Sequence, residues 1–86
     1  MILDSGLIMT LADLPLGTPT VVRQVVSQSP QDTIASRLKD LGFVPGEPVS
    51  LVAFGPFGAD PMLVQIGFTR FALRRSEASR VEVENV

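Results

Sequence analysis

The chain's hydrophobic positions fall into short runs separated by glycine, proline and small polar residues, and most runs are strand-like rather than helical. Thr20-Val21-Val22-Arg23-Gln24-Val25-Val26 is rich in β-branched residues and predicts the first strand. One segment instead follows helical spacing. Ile34, Leu38 and Leu41 recur at i, i+4 and i+7 with Ala35 beside them, which predicts an amphipathic helix with one buried face. Its start is read at Ser29 as N-cap, with Pro30 at the first helical position and Asp32 at N3, near the positive end of the helix. Its end is read at Gly42, the residue that tolerates positive φ at C′, with Phe43 packing back on Leu38.

After the helix the chain is punctuated by turns. In Val44-Pro45-Gly46-Glu47, proline presets the first central φ and glycine supplies the positive φ of a type II turn. Pro48 to Phe54 predicts a second strand. Gly55 to Pro61 holds two glycines and two prolines in seven residues and reads as a loop. Met62 to Ile66 predicts a third strand, Gly67-Phe68 a two-residue type II′ turn, and Thr69 to Arg74 the returning fourth strand. Ser76 is placed as the cap of one helical turn through Glu77 and Ala78. Arg80-Val81-Glu82-Val83-Glu84 alternates charged and apolar, the pattern of a fifth strand with one wet face.

Upstream, Thr10 caps a short turn over Leu11 to Leu14 that Pro15 stops. Met9-Thr10 reads as a second start, which makes residues 1–8 an N-terminal extension and 9–86 the domain. The order β, α, β, β, β, turn, β is a mainly β protein. About five short strands with one inserted helix are expected to form a small closed barrel, since closure removes exposed sheet edges.

Eighty-six residues suffice for one domain and leave it a thin core. There is no cysteine, so neither a disulfide nor a thiolate ligand is available, and a reducing, cytoplasmic setting is expected. The net charge of −2, from six arginines, one lysine and nine acidic residues, argues against nucleic-acid binding, which draws on a dense basic surface. No apolar run approaches the roughly 20 residues that span a bilayer, and the N-terminus lacks a basic n-region. Membrane insertion is not expected.

The chain has no His, Cys, Tyr or Trp, so a serine nucleophile would lack an imidazole base, and no phosphate-binding Gly-x-x-x-x-Gly-Lys-Ser/Thr loop occurs. Neither catalysis nor a cofactor is expected. Transition metals favour imidazole and thiolate, which leaves only carboxylates. Glu82 and Glu84 share a strand face and could hold a divalent cation loosely, with help from a second molecule. The favoured reading makes them solvated charges that keep an edge strand from aggregating.

Two stretches carry a family resemblance. Arg37-Leu38-Lys39-Asp40-Leu41-Gly42-Phe43-Val44-Pro45-Gly46 and Phe71-Ala72-Leu73-Arg74-Arg75-Ser76-Glu77-Ala78 resemble the signature segments of the FeoA family, and Thr10 to Gly17 is similar to that family's usual opening. The resemblance runs in order from about Met9 to Val86. It implies an SH3-like barrel, similar in fold to the C-terminal domain of metal-dependent repressors. It also implies a cytoplasmic, non-catalytic role in ferrous iron uptake, by contact with the cytosolic, GTP-hydrolysing part of a FeoB-type membrane transporter. The alternative it implies is a metal-responsive regulatory module. Beyond that partner, only weak homo-oligomerisation is considered.

The residues offered for partner binding are Val44, Pro45, Phe57, Phe68, Arg70 and Arg74. Turn chemistry places Phe57 and Phe68 at the surface, where aromatics anchor interfaces; the competing reading folds each back over an open barrel end. Val44 and Pro45 follow the helix cap and would line an apolar groove, suited to an extended peptide or to strand-edge pairing; cap and turn chemistry also explain them fully. Arg70 and Arg74 share a strand face by period two and would meet an acidic surface. The competing reading pairs the late arginines, Arg75 and Arg80 included, with Glu77, Glu82 and Glu84.

Overall fold

The computed structural model describes residues 8–57 and 60–85, without the side chains of Pro56 and Phe57. Most of the N-terminal extension expected over 1–8 lies outside the described residues. The elements are β1 (Met9–Thr10), a 3₁₀ turn (Leu11–Asp13), β2 (Thr20–Val25), α1 (Thr33–Asp40), β3 (Pro48–Phe57), β4 (Asp60–Ile66), β5 (Thr69–Leu73), α2 (Arg75–Ala78) and β6 (Val81–Val83). All strand pairs are antiparallel, in the order β1-β6-β2-β3-β4-β5. The five expected strands are all present, and the two-residue β1 is added beside β6. The sheet curls around its core without hydrogen-bonded closure: among the described residues no ladder joins β5 to β1.

Alternation fills the interior. Val49 and Leu51 of β3, Met62, Val64 and Ile66 of β4, Leu73 of β5 and Val81 and Val83 of β6 are buried, together with Leu38 of α1. Phe43, wholly buried just past α1, meets Phe71 with ring centroids 6.3 Å apart and tilted by 49°. Among the described residues no polar or charged residue is buried.

Helix α1 stops as its sequence requires. The Gly42 N–H donates to the Lys39 carbonyl (3.1 Å) and the Phe43 N–H to the Leu38 carbonyl (3.1 Å), with Gly42 at φ +112°. This is a complete Schellman motif. The next turn also matches, with the Glu47 N–H donating to the Val44 carbonyl and Gly46 at φ +91°.

The start of α1 differs from expectation. Asp32, not Ser29, is the N-cap, and Pro30 lies in a preceding turn. Asp32 Oδ1 accepts from the N–H groups of Ile34 and Ala35, both at 3.1 Å, while Oδ2 accepts from the Gln28 N–H at 2.8 Å and from Arg80 Nη1. Two carboxylate oxygens serve the cap and a distant arginine together, which one hydroxyl cannot do. With the helix shortened, Ala35 and Leu38 are buried and Leu41 half-buried, while Ile34 in the first turn remains 36% exposed.

Two further corrections concern the second half of the chain. The expected loop from Gly55 to Pro61 is mostly strand, because β3 continues to Phe57 and β4 begins at Asp60. Register breaks between Leu51 and Ala53 and between Phe54 and Phe57 accommodate the Gly/Pro-rich residues within a bulged, extended hairpin. Strand β5 ends at Leu73 rather than Arg74. Arg74, not Ser76, is the N-cap position of α2, where its N–H donates to Glu77 Oε1 at 2.8 Å.

Candidate functional site

The hairpin tip between β4 and β5 is a two-residue turn closed by the pair Ile66 and Thr69, with Gly67 at φ +57°. Phe68 follows and is 104% exposed, more open than any other large hydrophobic residue among those described. The Gly67 N–H donates to the Pro48 carbonyl at 3.2 Å, which fixes this tip beside the Val44–Glu47 turn. Val44 and Pro45 are both exposed on that turn. Three of the six expected contact residues, Val44, Pro45 and Phe68, therefore gather at one end of the molecule.

The others are distributed differently. Arg70 stands on the outer face of β5, one register step from the tip, where its Nε donates to Gln65 Oε1 at 3.1 Å. Arg74 lies just past the far end of β5, at the N-cap of α2 and roughly 13 Å from Arg70 along extended chain, and is exposed. Phe57 belongs to the opposite end of β3, paired in register with Asp60; its side chain lies outside the described residues.

Carboxylates were expected to neutralise the late arginines, and the pairing found is another one. Arg80 pairs with Asp32, Glu77 with Arg37 at 2.9 Å, and Glu84 with Arg23 at 3.8 Å, while Glu82 accepts from Gln24 Nε2 at 2.9 Å. The Arg75 guanidinium reaches the Ala12 carbonyl at 3.5 Å. Among the described residues neither Arg70 nor Arg74 has a carboxylate within ion-pair distance.

The hydrogen bond from Arg80, with those from the Gln28 and Ala35 N–H groups, holds the Asp32 carboxyl well below the usual carboxylate range against the opposing pull of burial. Asp32 and Arg80 are a structural clasp joining the start of α1 to β6. The Arg37–Glu77 pair has a similar place, joining α1 to α2. Among the described residues no three acidic side chains converge on a point that could hold a metal ion, and no helix is long and apolar enough to cross a membrane.

A model of the FeoA domain matches residues 9–85. Among solved structures, FeoA of Stenotrophomonas maltophilia complexed with zinc is similar at 59% identity, over 88% of this chain and 89% of that one, with a TM-score of 0.81. Iron(II) transport protein A of Clostridium thermocellum is 33% identical over 91% of this chain and 46% of that one, with a TM-score of 0.77. A manganese-dependent transcriptional repressor shares the fold alone, at 16% identity over 92% of this chain and 42% of that one, with a TM-score of 0.75. Among curated proteins none matches.

Proposed function

The chain belongs to the FeoA family, and from that premise we propose that it is a non-catalytic, cytoplasmic accessory protein of ferrous iron uptake. It acts by protein contact with the cytosolic part of a FeoB-type transporter. The observation that carries this reading is the exposed apolar end formed by Phe68, Val44 and Pro45, continued along β5 by Arg70. An aromatic side chain left wholly in water, on a tip pinned by a backbone hydrogen bond, has no packing role in the isolated domain. Its surroundings suit an interface: a rigid apolar centre with polar, charged residues, Arg70 and Glu47, at the rim.

The chain has no His, Cys or Tyr to pair with the carboxylate of Glu47 or the hydroxyl of Thr69 at this end, which supports binding rather than turnover. The test is retention of this protein on the purified GTPase domain or the intact transporter, in both nucleotide states. Binding that Phe68→Ser weakens at least tenfold supports the assignment. No binding at tens of micromolar in either state would overturn it.

The zinc complex of the Stenotrophomonas protein favours a second reading, a metal-responsive regulatory module. Submicromolar, stoichiometric uptake of iron(II), manganese or zinc by calorimetry would select it over the first.

A further inference from the structure

Among the described residues strand β5 is an edge, and the hairpin that creates it fixes which backbone groups point outward. Ile66 and Thr69 close a two-residue turn, and hydrogen-bonded pairs alternate from there. Thr69, Phe71 and Leu73 therefore bond to β4, while Arg70 and Ala72 turn their N–H and C=O groups outward. Among the described residues nothing bonds to these outward groups. Farther along, the Arg74 N–H and carbonyl are used by Glu77 and Ala78, which ends the free edge.

The side chains along this edge select a partner. Residues 69–75 hold three of the chain's seven basic residues and no acidic one, although the whole chain carries −2. Arg70 stands exposed on the outer face of β5 and Arg74, four residues on, is exposed just past the end of the strand, with the exposed Ala72 between them. Ala72 pairs in register with Leu63, and Leu63 with Ala53, so an apolar stripe crosses the outer face at that level.

We propose that the β5 edge accepts an acidic, extended peptide segment of a partner protein as an additional strand, with Glu or Asp at positions i and i+4 facing Arg70 and Arg74 and a small apolar residue between them over Ala72. This specifies how the docking face described above is recognised and rests on that reading. Backbone bonds to Arg70 and Ala72 give the affinity, and the charge spacing gives the register. A second copy of this chain fits less well. Two β5 edges paired about Ala72 would set Arg70 directly against Arg74 on both sides, and like charges in that position repel.

The probe is a capped peptide, acetyl-Thr-Glu-Thr-Val-Thr-Glu-Thr-amide, titrated into ¹⁵N-labelled protein at low salt. The expected result is shifted resonances and slowed hydrogen exchange at the Arg70 and Ala72 N–H groups, with the Phe71 N–H already protected in the free protein. The same peptide with Lys for both Glu should not bind. Arg74→Gln should weaken binding about 2–5-fold, and Ala72→Pro, which removes one outward N–H and no ladder bond, should abolish it. Because the peptide controls are run on the unaltered protein, misfolding of a variant does not decide the outcome. Unchanged exchange at Arg70 and Ala72 at millimolar peptide, equal binding of the Lys peptide, or β5 protection explained by dimerisation would each overturn the proposal. Retention on the transporter would be unaffected by that failure, which separates it from failure of the docking reading itself.

Discussion

At the scale of single residues, Asp32 and Gly42 decide where α1 begins and ends. Gly42 could be read from the sequence because a Schellman cap depends on local backbone alone. The sequence alone puts Asp32 at N3, because its second partner, Arg80, lies 48 residues away and leaves no local trace. Its folded-state pKa is depressed, so its contribution to stability is full above the unfolded value near 4 and is lost as pH falls below it. Asp32→Asn should therefore lower the Tm at pH 7 and flatten the fall of Tm between pH 4 and pH 2, as followed by circular dichroism. For Gly42→Ala the nearest atom to the new Cβ is 4.0 Å away, so the cost is one of backbone strain, about 1–2 kcal/mol by urea unfolding. Gly42→Asn should cost less, because asparagine tolerates positive φ better.

At the scale of elements, the succession of five strands and the helices along the chain is legible from periodicity and turn residues, whereas β1, the order of strands in the sheet and the hairpin after β3 are not. Gly55 and Pro61 look like loop chemistry, but they face each other across two strands. A Cβ on Gly55 would stand 2.5 Å from the Pro61 carbonyl oxygen, so the glycine there permits close strand approach. The segments that carry the family resemblance meet through Arg37 and Glu77, and Glu77 also accepts the Arg74 N–H. This gives those segments a structural reason: they hold α1 against α2 across the strands that separate them in sequence. Glu77→Ala should destabilise the domain by about 1–3 kcal/mol, since it frees an N–H and a guanidinium together. Arg37→Ala, which leaves the α2 bond intact, should cost less; urea unfolding of both variants checks the order.

At the scale of the whole molecule, a thin aliphatic core fills the curled sheet and leaves recognition to the outside. Three of the six contact residues expected from sequence are gathered by the turn that follows α1 and by the β4–β5 tip. That neighbourhood could not be read locally, because a bond between Gly67 and Pro48 creates it. Arg70 and Arg74 are legible as a pair by period two, but that neither has a carboxylate partner among the described residues depends on which acids the other arginines take. Phe68→Ser should leave stability within about 0.5 kcal/mol of the parent, because the ring touches no core residue, while weakening partner binding at least tenfold.

Amide chemical-shift mapping of this domain, during titration with the transporter's purified cytosolic portion, tests the central claim most directly. Changes concentrated at Val44, Phe68 and β5, saturating at micromolar partner, are predicted. Saturating binding with changes confined to the opposite end of β3, or no change at all in either nucleotide state, would contradict it.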